Sequence, residues 1–212
     1  MSEGCLFLIS APSGAGKTSL VKAATDSNPT LTVSVSHTTR AKRPGELDGR
    51  NYHFVSEDTF RQMISADAFL EHATVFGNLY GTHRTQVEEK LQQGLDVILE
   101  IDWQGAAQVR QHMPQAVSIF ILPPSEATLE QRLKARDSDD ADTIAKRLSE
   151  ARLDMSKAAD FDFIVINDDF DRATQEILAI FASAKLTKSH QLKHNGRVKA
   201  LVPVPIDEGP IV

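Results

Sequence analysis

An α/β fold, a parallel sheet flanked by helices, is what this 212-residue chain predicts. Three observations carry the prediction. Four short apolar runs, Leu6–Ile9, Val97–Ile101, Val117–Leu122 and Phe163–Ile166, have the length of buried parallel strands. Amphipathic helical patterns alternate with them, as in a sheet covered on both faces. A glycine-bearing turn, Gly14-Ala15-Gly16, joins the first apolar run to the first helical one.

The elements follow in order. After the first run, Ala11-Pro12-Ser13-Gly14-Ala15-Gly16-Lys17-Thr18 leads into the helical stretch Ser19-Leu20-Val21-Lys22-Ala23-Ala24. Strand, glycine-rich turn and a Lys-Thr pair opening a helix is the layout of a phosphate-binding P-loop. Small residues let backbone N–H groups turn inward around a polyphosphate, and the helix N-terminus adds its dipole. Lys17 can reach the β- and γ-phosphates, and the Thr18 hydroxyl can ligate Mg²⁺. Ala11 stands where this pattern usually has glycine. Alanine tolerates positive φ poorly, so an ordinary backbone is expected there. The fold class sharpens to a P-loop NTPase-type sheet.

Residues 33–83 break the alternation with short strand patterns at Val33–Ser36 and Tyr52–Val55 and turns at Pro44-Gly45 and Asp48-Gly49, predicting a small, mixed but mostly β insertion. Thr85-Gln86-Val87-Glu88 reads as a capping box, with Val87 and Leu91 on one face and Gly94 closing the helix. Trp103–His112 predicts a helix that stops before Pro114, with Asp102 placed to cap it. Ala127–Ala135, Thr143–Ala158 and Asp171–Lys188 predict three more helices. The predicted core is thus 1–32, 84–123 and 151–190. Residues 124–150, charged and poor in apolar surface, form a helical lid. The tail 191–212, rich in Pro and Gly, is expected to be poorly ordered or draped over the surface.

Composition bounds the function. A net charge of −6 argues against a nonspecific nucleic-acid binder. Cys5 is the only cysteine, so no internal disulfide forms, which fits a cytoplasmic protein. No apolar run approaches the roughly 18 residues of a membrane helix. A homo-oligomer is left open. His37, His53, His72 and His83 lack metal-ligand spacing.

A P-loop enzyme that transfers phosphate needs an acceptor pocket. Ser36-His37-Thr38-Thr39-Arg40-Ala41-Lys42-Arg43 offers cations among small hydroxyls, and guanidinium suits bidentate phosphate contacts. Glu71, followed by Tyr80-Gly81-Thr82, offers a carboxylate that can accept from N1–H and the exocyclic amine of guanine. Adenine presents an acceptor at N1 and is disfavoured by an ionised carboxylate.

With these motifs in order, the chain resembles the bacterial guanylate kinases, which phosphorylate GMP with ATP. The resemblance runs from the P-loop to about residue 185 through Ser34–Arg40, Arg43–Glu46, Gly49–Val55, Phe69–Glu71, Val75–Asn78, Tyr80–Thr82, Ile101–Gly105, Ile121–Ser125 and Val165–Asp169. It implies that Arg40 and Arg43 hold the GMP phosphate, helped by the hydroxyls of Tyr52 and Tyr80. Ser36, Glu71 and Thr82 read the guanine edge, with Asp102 at the exocyclic amine. Residues Ala11–Ser19 cradle ATP, Asn167 lies near its adenine, and Glu100 orders Mg²⁺ through water beside Thr18. Arg132, Arg136 and Arg147 close over the phosphates, and Lys17, Arg40, Arg136 and Arg147 stabilise the transfer. Glu100 is Asp in most of the family, Leu79 replaces a frequent aromatic, and Asp137 follows Arg136 where a glycine is commoner. Two other readings share the P-loop. A kinase of phosphorylated sugars would not need Ser36, Glu71 and Thr82. A noncatalytic binding module would not need Lys17 and Thr18.

Overall fold

The computed structural model describes residues 3–75, 77–136 and 141–202, with the backbone alone at 135, 136, 141 and 142. Along the chain run β1 (Leu6–Ser10), α1 (Lys17–Ser27), β2 (Leu31–Val33), β3 (His37–Thr38), β4 (His53–Phe54), α2 (Glu57–Ser65), β5 (Phe69–Val75) and β6 (Asn78–His83). Then follow α3 (Arg84–Gln92), β7 (Asp96–Glu100), α4 (Trp103–His112), β8 (Val117–Leu122), α5 (Glu126–Arg136), α6 (Ala141–Ser156), β9 (Phe163–Ile166), α7 (Phe170–Ala184), α8 (Lys188–His194) and α9 (Gly196–Leu201).

Five strands form one sheet in the order β2-β7-β1-β8-β9, and every pairing is parallel. Strand residues alternate between faces. Phe7 and Ile9 of β1 therefore pack with Leu20, Val21, Ile177 and Phe181 of α1 and α7, while Leu6 and Leu8 pack with Val87, Leu91 and Val109 of α3 and α4. Each fully buried side chain of this size contributes about 1.5–3 kcal/mol of transfer free energy. The α/β fold with a parallel sheet between helices is what the sequence predicts.

The insertion carries a second sheet, order β4-β3-β6-β5, in which β6 is antiparallel to both neighbours. It differs from the mostly β expectation by α2, which Ser56 caps by accepting the Thr59 N–H, and which buries Phe60 against Phe69. The alternation at Val33–Ser36 also divides: Leu31–Val33 joins the central sheet beside β7.

Two further expectations are corrected. Thr85 does not cap α3. The helix begins at Arg84 directly after His83 ends β6, and the Arg84 N–H donates to the Ala68 carbonyl at 2.8 Å. The chain from 188 to 201 is helical, because Thr187 and Asn195 accept backbone N–H groups as caps of α8 and α9. The lid tip Asp137–Asp140, Phe76 and the tail beyond 202 lie outside the described residues.

Candidate active site

The site forms at the C-terminal ends of β1, β7 and β9, the ligand-binding edge of an open α/β sheet. Ser10 ends β1, and its hydroxyl donates to the Ile101 carbonyl at 2.7 Å, tying the P-loop entry to the exit of β7. The loop then turns, with the Ala15 N–H donating to Pro12 at 3.2 Å. Gly14 and Gly16 sit at φ 90° and 95°, whereas Ala11 keeps negative φ. α1 starts at Lys17 with no side-chain cap, which leaves its first N–H groups for a ligand.

Asn167, at the end of β9, is buried and donates from Nδ2 to the Ala15 carbonyl at 2.7 Å. A Cβ on Gly16 would lie 2.3 Å from that Nδ2, so glycine is required there on two grounds. Arg132 of α5 reaches the same carbonyl at 3.5 Å and that of Asn167 at 3.4 Å. Asn167 thus braces the P-loop in this state.

Thr18 and Ser19 are exposed in the first turn of α1. The Thr18 hydroxyl donates to Glu100 Oε2 at 3.0 Å, setting two oxygen donors side by side. Deep packing lowers the pKa of the Lys17 ammonium, and Glu100, Asp102 and Asp154 pull it back up. Asp102 caps α4, accepting the Gly105 N–H at 2.7 Å.

The facing wall belongs to the second sheet. Glu71 of β5 is paired in register with Thr82 of β6, and the Thr82 hydroxyl donates to Glu71 Oε1 at 2.6 Å. Burial pushes the Glu71 carboxyl up to about 7; Thr82 lowers it and Asp102 raises it. A Cβ on Gly105 would stand 3.2 Å from Glu71 Oε2, so a glycine in the first turn of α4 lets that helix approach the carboxylate. Arg40 ion-pairs with Glu46 at 2.7 Å and lies 5.4 Å from the Tyr52 ring centre. The Tyr52 and Tyr80 rings meet edge to face at 5.8 Å. Arg43 is exposed, its backbone N–H donating to Glu46 at 2.8 Å. Ser36 precedes β3, its carbonyl accepting the His53 N–H at 2.9 Å.

The walls meet around β7 and the turn after it: Tyr52 feels the charge of Glu100, and Glu71 that of Asp102. Arg132 and Arg147 lie on α5 and α6, and the Arg136 side chain is outside the described residues. Sequence reasoning assigned no role to Glu46 or Asp154. Glu46 had a local signal, an acid three residues after Arg43 across a Pro-Gly turn. Asp154 had none.

A family model described as guanylate kinase matches residues 4–184. The chain belongs to the guanylate kinase family. It is 54% identical to a guanylate kinase of Thiobacillus denitrificans, covering 92% of this chain and 93% of that one, and 50% identical to one of Escherichia coli K12, covering 95% and 99%. The crystal structure of guanylate kinase from Anaplasma phagocytophilum superposes with a TM-score of 0.74 at 31% identity, covering 95% of each chain. The activity is that of guanylate kinases, phosphorylation of GMP by ATP. Among the described residues, no helix is long and apolar enough to cross a membrane.

Proposed function

We propose that the two walls divide the reaction's substrates as follows. The P-loop and α1 take the ATP triphosphate, with Lys17 at its β- and γ-phosphates and Asn167 and Arg132 at the rim. Arg40, Arg43, Tyr52 and Tyr80 hold the GMP phosphate, and Ser36, Glu71, Thr82 and Asp102 read guanine. A GMP phosphate oxygen then attacks the γ-phosphorus in line, so GMP and dGMP, which share base and phosphate, are both acceptors. Little covalent chemistry falls to the protein; positioning and charge stabilisation do the work. Lys17, Arg40, Arg136 and Arg147 supply the positive charge, and the closing lid 124–150 excludes water as a competing acceptor.

The observation that carries this reading is the pairing of Thr18 with Glu100, beside Lys17, opposite the Thr82–Glu71 pair. A hydroxyl and a carboxylate 3.0 Å apart suit a hard oxygen-seeking cation. Mg²⁺ would be held by Thr18 and, through water, by Glu100, with the nucleotide completing its shell. When bound it supplies neutralisation of charge on the β- and γ-oxygens. The 33–83 insertion, the lid and the 1–32, 84–123 and 151–190 core act as separately moving parts of a cytoplasmic enzyme.

The test is coupled ADP release with ATP, Mg²⁺ and a panel of GMP, dGMP, AMP, CMP, UMP and ribose bisphosphate. High turnover with GMP, lower with dGMP and little with the rest supports the base-reading wall. Equal turnover with AMP overturns the role given to Glu71.

A further inference from the structure

Strand β5, which carries Glu71, is an edge strand: β6 pairs with it on one side only. Its other side lies against α4, and three consecutive residues of the strand meet that helix. Leu70 is buried in the apolar cluster that holds Ala106 and Val109. Glu71 turns Oε2 toward Gly105, 3.2 Å from where a Cβ would stand there. The His72 backbone N–H donates to Gln108 Oε1 at 3.1 Å, and Gln108 Nε2 donates to the His72 carbonyl at 3.2 Å. We propose that Gln108 is a positioning residue for guanine recognition: by pairing with both backbone groups of His72 it fixes the Glu71 carboxylate beside Asp102. The proposal rests on the base-reading role given above to Glu71 and Asp102.

A glutamine suits this task. An edge strand leaves the N–H and C=O of alternate residues without a strand partner, and an amide side chain offers one acceptor and a donor beside it. Gln108 therefore stands in for a neighbouring strand at a single residue. Only one orientation of its amide makes both bonds, so the pair fixes the strand along its length as well as its distance from the helix. The support is needed at this point of β5. The pairing with β6 shifts register between Phe69 and Glu71. Such a bulge disrupts the ladder locally and re-aims the side chains around it. What the ladder leaves loose, α4 holds.

The same helix is capped by Asp102. Gly105 and Gln108 are three residues apart and share a face of it. At Gly105 the two acids converge: a Cβ would stand 3.2 Å from Glu71 Oε2 and 3.4 Å from Asp102 Oδ1. Asp102 follows a strand of the central sheet, Glu71 belongs to the second sheet, and like charge drives the two apart. One helix bears the first acid and, through Gln108, the strand of the other. A guanine amine that meets both acids needs that spacing held. Stability gives little reason for the pair. His72 is exposed, so water can satisfy the same two backbone groups, and buried Leu70 already anchors the strand.

The experiment measures kcat and KM for GMP, AMP and ATP at pH 8 in Q108L, Q108A, E71Q and the double variant E71Q/Q108L. In Q108L, KM for GMP should rise about fivefold while kcat with GMP and KM for ATP stay within about twofold. The ratio of kcat/KM for GMP to that for AMP should fall about fivefold. A role in stability alone lowers the amount of folded enzyme, which cancels in that ratio. Q108A removes the same two bonds without adding an apolar group, should match Q108L, and carries the test if Q108L does not fold. In E71Q/Q108L the ratio equals that of E71Q, because Gln108 acts through Glu71. Amide hydrogen exchange at His72, read by NMR, should be faster in both Gln108 variants. An unchanged ratio in those variants, unchanged exchange at His72, or a ratio that falls further in the double variant than in E71Q overturns the proposal. An unchanged ratio in E71Q overturns the base-reading role of Glu71 itself, and is seen with Gln108 intact.

Discussion

Lowering the pH should erode the preference for guanine over adenine, and Glu71 sets where. Its carboxyl titrates at about 7 in the free protein, because burial penalises the anion and Asp102 adds like charge, against the opposing Thr82 hydrogen bond. Guanine needs the anion, which accepts from N1–H and the amine. The protonated carboxyl is the complement of adenine, donating to N1 and accepting from the 6-amine. Between pH 8 and pH 6 the ionised fraction falls from about nine-tenths to about one-tenth, so kcat/KM for GMP should drop about tenfold from this group alone. The protonated fraction rises as much, so the ratio of kcat/KM for GMP to that for AMP should fall by up to about a hundredfold. Titration of the nucleotide phosphate, of Mg²⁺ binding and of the lid is common to both substrates and cancels in the ratio. The assay is ADP release at saturating ATP from pH 5.5 to 8.5, for the parent and for Glu71→Gln. Glu71→Gln should lower the ratio at pH 8 and flatten its pH dependence. A ratio that does not move with pH in the parent, or a slope that survives in Glu71→Gln, refutes the reasoning.

Lys17→Ala should cut kcat by roughly a hundredfold or more while GMP affinity, read by calorimetry, stays within about threefold. Gly16→Ala places a Cβ 2.3 Å from Asn167 Nδ2 at φ 95°, so ATP affinity should fall more than in Asn167→Ala, which only removes the brace to Ala15; the reverse order would overturn the steric account. His37 is held down to about 4 by burial and by His53 and His83, and buried Nδ1 atoms of His37 and His83 lack hydrogen-bond partners. A histidine whose folded pKa lies below its ordinary 6.5 contributes stability that is complete above pH 6.5 and is lost as pH falls toward 4. Tm should therefore drop between pH 7 and pH 5 by the equivalent of about 1–2 kcal/mol, and His37→Gln should flatten that dependence.

The P-loop was legible because its chemistry is local: a turn, a lysine and a hydroxyl that are consecutive in sequence and act together whatever the rest of the chain does. Three of the four short apolar runs were legible because buried parallel strands need no polar alternation; the fourth, Phe163–Ile166, was expected to be buried too, but it forms the edge strand β9, where Val165 alone is buried and Phe163, Ile164 and Ile166 are exposed. Helix starts set by the sheet were not legible. Thr85 and Glu88 have the composition of a capping box, yet β6 runs to His83 and its pairing delivers the Arg84 N–H to Ala68, so helix α3 begins one residue before the expected cap. The tail misled in the opposite way. The Pro and Gly of the last ten residues coloured the whole segment, although Thr187 and Asn195 are good helix caps that stop short of it.

The guanine wall was legible only in part, for a physical reason that also bears on how it works. Glu71 and Thr82 are eleven residues apart and meet only because β5 and β6 pair in that register. Neither residue alone signals a base, and sequence shows the pair only through the family it resembles. Charge partners were less legible still. Arg40 is paired with Glu46, and Lys17 lies within the field of Glu100, Asp102 and Asp154. Both of these cations, which would meet phosphates, already have carboxylates near them. A phosphate entering therefore exchanges one anionic partner for another and does not have to desolvate an isolated cation. That exchange keeps binding reversible, and a transferase that must release two nucleotides per turnover needs reversible binding more than it needs the tightest contact.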